Sequence, residues 1–540
     1  MGILAPKDLS SNPAPPQVYN WRVYALAISA AMGSSMFGYD SSFIGGSLAL
    51  PSFRERFGLA DASSKKRSDL SAHIVSTFQG GCFFGAIFCY IISERIGLKK
   101  TLMLCGALFD IGTILQVAST GQLGLIYGGR VLTGLAVGAS SLIVPVYISE
   151  CSPPAIRGRL IGIFEIVLQL SQIVGFWVNY GVNKNISASD DAQWRIPFAL
   201  QFVPGTLLVV LMALQPESPR WLASKGKFAE AQHILSVLRR CPEDHEYLAW
   251  ELTAIRSQIE AENAESATSL VAKLKEIYST NVRTRLLIAM ALMMLQNLSG
   301  INALNYYSPT IFKSIGFTGT NVGLLATGVF GIVKATMTTV FMLFLVDRSG
   351  RRPAMLVGSA GAIVAMYYLA GYTKLSNSFN ETPPKDGGAY VGIVMVYIFA
   401  IFYAISWNGI PWIFSAEVFP IEVRQVCLVF TTCTQWLGQF IIAYSTPYMI
   451  TGIEYGVFLF FGTSVVIGVT FVFFFLPETK GVALEDMDVM FNVKGWAWQK
   501  RKETDRILAE RRLQLQNDNV IVVEKFDHAH LEGNRAEDEV

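Results

Sequence analysis

Five ionisable residues of this 540-residue chain lie inside long apolar stretches, where a charge is costly to bury: Asp40, Asp110, Arg130, Glu165 and Lys334. At the centre of a membrane-spanning helix each would cost about 2.5–3.5 kcal/mol, so each should face the protein interior and have a partner. A carboxylate beside a guanidinium can bind and release a proton, because the cation favours the ionised acid and burial favours the neutral one. These residues are the first candidates for chemistry.

A second pattern consists of polar side chains at helical spacing. Glu165, Gln172 and Asn179 recur every seven residues, which places them on one face of a helix. Amide side chains both donate and accept hydrogen bonds, and this suits a ligand with several hydroxyl groups.

The composition indicates the environment that must hold these residues. Charged residues make up 16% of the chain, hydrophobic residues 52%, and phenylalanine alone occurs 35 times. Soluble domains average about 25% charged residues. The formal net charge of +2 excludes an electrostatic nucleic-acid binder, and the high hydrophobicity excludes a disordered chain. We therefore expect an all-α protein of the lipid bilayer.

Twelve apolar runs are long enough to cross about 30 Å of hydrocarbon as helices. We number them span one to span twelve: 22–46, 72–93, 101–119, 122–148, 160–181, 197–215, 284–313, 321–346, 354–372, 389–414, 426–449 and 455–476. The stretch between spans six and seven is polar and has helical periodicity.

This pattern divides the chain into five parts. We expect a cytosolic N-terminal segment at 1–21, a six-helix bundle at 22–215, an intracellular helical linker at 216–281, a second six-helix bundle at 282–476 and a cytosolic tail at 477–540. The tail is charged, and we expect it to be disordered.

Basic residues set the expected orientation. They crowd the loops after spans two, four and eight, at Arg95, Lys99, Lys100, Arg157, Arg159, Arg348, Arg351 and Arg352. The positive-inside rule then places both termini in the cytosol. The first outer loop, with five basic residues at 54–67, disagrees, but the other loops are consistent with one another.

The two groups of six spans repeat each other. SERIGLKK at 93–100 corresponds to VDRSGRRP at 346–353, and PESPR at 216–220 corresponds to PETKG at 477–481. In both halves an acid and an arginine, Glu150 with Arg157 and Glu417 with Arg424, are seven residues apart. Two homologous halves are the simplest explanation.

These motifs, with GRVLTGLAVG at 129–138, QNLSGINALNYYSP at 296–309 and NGIPWIFSAEVFP at 408–420, resemble the sugar porter family of the major facilitator superfamily over about residues 19–490. VYNWRVY at 18–24, GYDSSFIGG at 38–46 and GFWVNYGVN at 175–183 are similar to the fungal quinate permeases within it. The resemblance implies the major facilitator fold, with a substrate site between two halves that rock around it.

The resemblance also implies a network at the cytosolic helix ends that latches the outward-open state. The matching residues are Glu150, Arg157, Glu217, Arg220, Asp347, Arg351, Glu417, Arg424 and Glu478. The alternative is a set of solvated salt bridges that favour neither conformation.

Asp40 and Arg130 match the acid and arginine that proton-coupled members of the family use for coupling. A pair that separates during transport could bind and release a proton; the alternative is a permanent buried ion pair that packs two helices. Asp110 has no such match, and we interpret it as a structural acid.

The family's substrate positions fall on amides and one tryptophan, with Asn297 in place of the second of a usual pair of glutamines and with two substitutions by charged residues. Glu165 stands where resembled carriers usually have glutamine, and Lys334 where many have asparagine. Lys334 either neutralises Glu165 or receives a substrate carboxylate. The full predicted substrate set is Glu165, Gln172, Gln296, Asn297, Asn302, Lys334, Asn408 and Trp412, with Tyr306 and Tyr307 as gating residues where span seven should break.

The sequence thus predicts a carrier of the plasma membrane that moves a monosaccharide or a related polyhydroxy acid by proton symport. Alternatives are a permease specific for quinate or galacturonate, a uniporter and a non-transporting nutrient sensor. We expect a monomer without cofactor or metal, and not an enzyme, because the buried residues form no nucleophile–base set. Asn185, in an Asn-Ile-Ser sequence of an outer loop, is a candidate for glycosylation.

Overall fold

The protein is described from a computed structural model that covers residues 15–265, 270–278, 280–317, 319–379, 381, 386–420, 423–480, 482 and 487–510. Side chains at 155, 258, 261–265, 270–273, 280 and 347 lie outside this description. Across the described residues the regular secondary structure is helical.

Helices form at all twelve predicted spans. The first six are Trp21–Ser47, Ser64–Ile96, Leu98–Val117, Leu123–Cys151, Arg157–Asn185 and the pair Ala192–Ala199 with Phe202–Ala213. The second six are Thr280–Leu298 with Ile301–Ser314, Thr320–Val340 continued by Phe341–Leu345, Arg351–Leu375, Gly387–Ala404 with Ile410–Val418, Arg424–Gly452 and Gly456–Phe475. The prediction of an all-α fold with twelve membrane-crossing helices is confirmed.

Span one differs from the others in composition. By length and composition alone, eleven helices of the described chain are long and apolar enough to cross a membrane. Trp21–Ser47 is not among them, because its glycines, its serines and Asp40 lower its mean hydropathy. It packs on spans four, five, six and seven, and most of its residues are buried. Small residues suit a helix that contacts protein on nearly every side.

Closely packed glycines bring the helices of the first half together. Gly81 and Gly85 of span two face Gly134 and Gly138 of span four, and a Cβ atom on Gly138 would lie 2.0 Å from the Cys82 carbonyl oxygen. These four residues form two facing Gly-x-x-x-Gly pairs, which permit close helix crossing. The contact fixes the position of span four, and therefore of Arg130.

Two spans of the second half, spans seven and ten, are interrupted among the predicted site residues. Span seven breaks at Gly300, whose φ is +94°, and kinks at Tyr307 before Pro309. Span ten is interrupted between Ala404 and Ile410, with Gly409 in the break and Pro411 in the first turn of the helix that follows. Breaks of this kind expose backbone groups at membrane depth and are typical of transporter sites.

We call the side of the bundle that carries the start of span one and the last described helices the termini side, and the opposite side the far side. The linker lies on the termini side as helices Pro219–Ser224, Phe228–Arg239, Glu246–Glu265 and Leu270–Ile277. Arg239 attaches it to the bundle by donating to the Cys151 carbonyl of span four at 2.8 Å, and its bonds to Glu251 at 2.6 and 3.0 Å join two linker helices to each other. The predicted helical character of the linker is confirmed.

The expectation of a disordered tail is wrong for its first part. Met487–Asn492 and residues 497–510 are helical. Arg285, at the start of span seven, binds Asp488 and donates to the Val418 carbonyl at 3.0 Å, so the tail is packed on the second half. Residues 511–540 lie outside the described residues.

Contacts between the two halves are dense on the far side. The Tyr448 hydroxyl donates to Asp69 at 2.8 Å, Asn183 donates to Asn321 at 2.6 Å, and a Cβ on Gly45 would lie 2.4 Å from the Tyr306 carbonyl oxygen. Residues 161–167 of span five, on the termini side, are all partly exposed. The molecule is therefore closed on the far side.

Candidate substrate and coupling site

Asp40 and Arg130 form an ion pair in the core of the first half. Both side chains are fully buried, and the Arg130 Nη1 contacts Asp40 Oδ1. Arg130 also donates from Nε to the Ile74 carbonyl at 3.1 Å, and its guanidinium lies 4.8 Å from the centre of the Phe78 ring. Asp40 Oδ2 and Arg130 Nη2 are buried without a hydrogen-bond partner among the described residues. The pair is therefore strongly attractive yet incompletely satisfied.

Asp110 lies apart from this pair. Its Oδ2 accepts a hydrogen bond of 2.9 Å from Thr206 of span six, while its Oδ1 is buried near Gly205 without a described donor. The arrangement joins spans three and six, as expected for a structural acid.

Glu165 is the acceptor of a small amide cluster between the halves. Its Oε1 accepts hydrogen bonds from Asn408 Nδ2 at 2.6 Å and from Gln169 Nε2 at 2.8 Å. Asn408 belongs to the interrupted part of span ten, and its Nδ2 also donates a hydrogen bond of 3.4 Å to the Thr338 hydroxyl. The cluster links span five of the first half to spans eight and ten of the second.

Lys334 lies in the same site as Glu165 but has different hydrogen-bond partners. Its ammonium, only 2% exposed as a residue, donates to Gln172 Oε1 at 2.6 Å and to Asn305 Oδ1 at 3.4 Å. Both partners are neutral amides. The direct ion pair between Glu165 and Lys334, one of the two expected arrangements, is therefore not formed in this conformation.

Gln296 stabilises the break in span ten. Its Nε2 donates to the carbonyl oxygens of Trp407 at 2.7 Å and Asn408 at 3.0 Å. In an uninterrupted helix the Trp407 carbonyl would accept from residue 411, which is Pro411 and has no N–H. Gln296 supplies the missing donor, while its Oε1 is buried without a described partner.

Trp412 follows this break and is partly exposed, as a ring that contacts a substrate should be. By contrast, Trp407 is buried and donates to Ser359 at 2.9 Å, and Trp436 is buried and donates to Ser141 at 3.3 Å. Those two rings are therefore packing residues.

Asn297 and Asn302 form a separate polar network in the second half. Asn302 donates to Asn297 Oδ1 at 2.6 Å, and Asn297 donates to Gln435 Oε1 at 2.7 Å and to the Met293 carbonyl at 2.8 Å. Asn297 is fully buried with its donor occupied, so in this conformation it joins spans seven and eleven.

The two predicted gating tyrosines lie where span seven changes direction. Tyr307 donates to the Ala443 carbonyl at 2.9 Å, and Tyr306 accepts from Gln439 Nε2 at 2.5 Å. Both are buried against span one or span eleven. They belong to the closed far side.

Glu217 and Glu478 play equivalent parts at the termini side. Glu217 accepts from the backbone N–H of Lys99 at 3.0 Å, and Glu478 from those of Arg351 and Arg352 at 3.0 Å each. Each carboxylate thus caps the N-terminus of the third helix of its half, beside a glycine with positive φ. The sequence predicted ion pairs there, but the observed bonds of both acids are to backbone groups.

The other network residues are also at the termini side. Arg351 donates to Glu417 Oε1 at 2.8 Å, and Thr479 donates to Glu417 Oε2 at 3.1 Å. Arg424 donates to the Phe419 carbonyl at 3.2 Å.

In the first half, Glu150 accepts from the Ser218 hydroxyl. Arg157 lies near both Glu150 and Arg220. The side chain of Asp347 lies outside the described residues.

Asn185 is the last residue of span five and is exposed on the far side. Its Nδ2 donates to the Gly181 carbonyl at 2.8 Å.

Sequence reasoning missed Gln169, Thr338 and Gln435. Gln169 is four residues from Glu165, and Thr338 is four residues from Lys334, so helical spacing could have identified both. Gln435 contacts Asn297 from a different span, and no local pattern indicates that contact.

Comparison with known proteins places this geometry in a family. Residues 26–491 match the family model described as sugar (and other) transporter. A protein of Emericella nidulans named quinate permease is 43% identical over 516 residues, which cover 94% of this chain and 95% of the relative. A probable quinate permease of Aspergillus fumigatus is 43% identical over 498 residues, with 92% and 91% covered.

Solved structures share the fold. The proton:xylose symporter XylE bound to 6-bromo-6-deoxy-D-glucose aligns with a TM-score of 0.72 at 24% identity, over 87% of this chain and 99% of that one. A partially occluded inward-open XylE from E. coli aligns with a TM-score of 0.71 at 24% identity, over 86% and 99%. The chain belongs to the family described as sugar (and other) transporter and is a multi-pass membrane transporter, not an enzyme.

Proposed function

We propose that the protein transports a cyclic polyhydroxy carboxylic acid of the quinate type together with a proton. The curated relatives described above are named for quinate, and their similarity extends over nearly the whole chain. A substrate of this class has hydroxyl groups for amides, a ring face for an indole and one carboxylate for a cation.

Lys334 is the observation that carries the proposal. It is a buried ammonium whose hydrogen bonds go to the neutral amides of Gln172 and Asn305. A buried cation without an anion in contact is a costly arrangement, and a substrate carboxylate would relieve it. Glu165 is held by Gln169 and Asn408 instead, so it does not occupy the position that a substrate acid would take.

The remaining site residues suit the rest of such a substrate. Trp412 is a partly exposed ring beside the break in span ten, and the free Oε1 of Gln296 lies at the same break. Gln172 and Asn305 would exchange their bonds to Lys334 for bonds to hydroxyl groups. Asn302 and Asn297 would support span seven from behind.

Asp40 and Arg130 are the proposed proton site. In this conformation Asp40 is bound to Arg130. A neighbouring guanidinium stabilises a carboxylate, whereas burial favours the neutral acid. When span one moves relative to span four, Asp40 would lose that contact while still buried and would take up a proton. Each transport cycle would therefore couple a proton to the substrate.

The two halves would alternate around this site, with the termini side facing the cytosol and the protein acting as a monomer in the plasma membrane. The basic loops favour that orientation. The halves would comprise residues 22–215 and 282–476, with the linker at 216–281. The network at the termini side would be the latch of the opposite, outward-open state.

Uptake into proteoliposomes with an imposed proton gradient tests the proposal. Labelled quinate should accumulate above equilibrium, and a protonophore should abolish the accumulation. Because a quinate anion and one proton carry no net charge together, a membrane potential alone should not drive uptake. If the protonophore leaves quinate uptake unchanged, the protein is a uniporter. If quinate binds but is not taken up, the protein is a sensor.

A neutral monosaccharide is the second candidate, and the charges of Glu165 and Lys334 favour it. Together they sum to zero within one site, as a neutral substrate would require. Cotransport of a sugar with a proton carries net positive charge, so a membrane potential alone should then drive uptake of labelled glucose. The same vesicles therefore distinguish the two substrates.

A further inference from the structure

Two tryptophans of the C-terminal segment lie against the end of span twelve on the termini side. The rings of Trp496 and Trp498 stack with their centres 5.9 Å apart and their planes 9° apart. Trp498 contacts Phe473 at 5.1 Å between ring centres, and Trp496 contacts Phe474 at 5.2 Å. The pair continues the aromatic surface of the membrane-spanning helix beyond its last turn.

These rings remain largely exposed. Trp496 is 48% exposed and Trp498 38%, next to Phe473 at 44% and Phe475 at 49%. Phe473 and Phe475 belong to a span whose outer face meets lipid, so the exposed indoles lie at the boundary of the hydrocarbon. Tryptophan is enriched at this depth, because its ring is apolar and its N–H can remain in the headgroup layer.

The same segment carries an unbalanced positive charge. Residues 493–502, VKGWAWQKRK, include Lys494, Lys500, Arg501 and Lys502 and contain no acid. Two of these residues form hydrogen bonds within the protein: Lys500 donates to the Phe491 carbonyl at 3.5 Å, and Arg501 donates to the Lys480 carbonyl at 2.5 Å. Lys494 and Lys502 are exposed and have no ion pair within the described part of the chain.

Those two lysines border an open groove of about 530 Å³. It is lined by Val493, Lys494, Gln499, Lys502, Glu503 and Ile507. The one acid, Glu503, is paired with Arg506, so the groove keeps a net positive lining. Its volume is sufficient for a phosphate-containing headgroup.

We propose that Trp496, Trp498, Lys494 and Lys502 form a binding surface for anionic phospholipid in the leaflet on the termini side. The indole pair would lie among the upper acyl chains and the two ammonium groups would contact the headgroup phosphates. In the orientation proposed above this leaflet is the cytosolic one, which carries anionic lipids. The surface does not depend on the transported substrate, and the arrangement of rings and charges favours a lipid over a soluble acidic protein.

Tryptophan fluorescence of the full-length protein in lipid nanodiscs tests whether Trp496 and Trp498 lie among the acyl chains. Phosphatidylcholine brominated near the headgroup end of its chains should quench the wild type more than the double variant Trp496→Phe with Trp498→Phe. Trp250→Phe, at a linker residue of similar exposure (38%), is the matched control and should leave the lipid-dependent quenching unchanged. Equal quenching of the wild type and the double variant would overturn the proposal.

Thermal unfolding tests whether the ammonium groups of Lys494 and Lys502 bind anionic lipid. Adding phosphatidylserine to phosphatidylcholine nanodiscs should raise the Tm of the wild type, and Lys494→Gln with Lys502→Gln should lose at least half of that increase. Lys65→Gln with Lys66→Gln, on the far side, should keep it. An equal increase caused by inorganic phosphate in phosphatidylcholine alone, or an undiminished increase in the Lys494 and Lys502 variant, would refute a lipid site. Because both lysines are exposed, this variant tests the proposal even if the tryptophan variant fails to fold.

Discussion

The Lys334 ammonium of span eight donates a hydrogen bond of 2.6 Å to the Gln172 amide oxygen of span five, across the interface between the two halves. The nearest acid of the site, Glu165, is bound to Gln169 and Asn408 instead. Two opposite charges of one site are thus held apart by amides. A substrate with a carboxylate can bind the ammonium without first breaking an ion pair.

Lys334→Gln should remove the partner of that carboxylate while keeping a polar side chain of similar length. We expect quinate transport to fall at least tenfold, because a lost hydrogen bond to a charged group is worth about 1.5–3 kcal/mol. Initial rates of labelled quinate uptake in proteoliposomes measure the effect. Unchanged quinate kinetics in this variant would contradict the assignment of Lys334.

The double variant Glu165→Gln with Lys334→Asn separates the two roles of the lysine. If Lys334 binds the substrate acid, this variant should lose quinate uptake and gain transport of a neutral sugar. If Lys334 only neutralises Glu165 in another conformation, the double variant should restore transport of the original substrate relative to either single variant. Loss of uptake of both substrates by properly folded protein would exclude both roles.

Asp40→Asn should uncouple transport. The amide resembles the carboxylate in shape but carries no titratable proton, so we expect proton-driven accumulation to be lost while exchange of labelled for unlabelled substrate continues. Asp110→Asn is the matched control, because Asp110 is bound to Thr206 away from this pair. Accumulation by Asp40→Asn at the wild-type level would place the proton site elsewhere.

Trp412→Ala and Gln296→Ala should each weaken substrate recognition. Removal of a ring contact or of a buried hydrogen bond costs about 1–3 kcal/mol, so the KM should rise about tenfold or more. Gln296 also supplies the donor that Pro411 lacks, and its variant should therefore unfold at a lower temperature. A normal KM in both variants would argue against this part of the site.

Glu217→Ala and Glu478→Ala should lower stability by similar amounts, since both acids cap the third helix of a half. Loss of a cap costs about 0.5–2 kcal/mol. Thermal unfolding in detergent should show a lower Tm for both variants, with Glu55→Ala, an exposed acid on the far side, as the control. If only one of the two variants has a lower Tm, the prediction that Glu217 and Glu478 stabilise their helices equally is wrong.

The fold could be predicted from sequence because each span is a long, local signal and the two halves repeat the same loop motifs. The pairing of Asp40 with Arg130 could also be predicted, because both residues match the acid and arginine of the resembled family. The rule that buried charges need partners applies equally to the other ionisable residues of the spans and does not by itself select this pair. Hydrogen bonds between residues far apart in the sequence could not be predicted in this way. Gln296 binds carbonyls of span ten that are free only because of Pro411 and the geometry of the break, and no spacing within span seven indicates them.

The tail illustrates the same limit. Its charged composition suggested disorder, yet residues 487–510 are packed through Arg285, Asp488 and the rings at the end of span twelve. The stabilising contacts come from outside the segment. Composition describes a segment alone and does not report the surface on which it folds.

The last prediction concerns the closed far side, where the Tyr448 hydroxyl bridges the halves to Asp69 at 2.8 Å. Tyr448→Phe removes that bond, which exists only while the far side is closed, and should shift the population toward the open state by about tenfold or more, since a bond to a charged acceptor is worth about 1.5–3 kcal/mol.

A cysteine in place of Ala443, which is fully buried near the gating Tyr307, should then react faster with a membrane-impermeant maleimide added on the far side. Tyr367→Phe is the matched control, because its hydroxyl bonds to Thr463 within one half. Asp69→Asn keeps an acceptor and should react at close to the wild-type rate. If Tyr448→Phe labels no faster than Tyr367→Phe, the bond to Asp69 does not hold the far side closed.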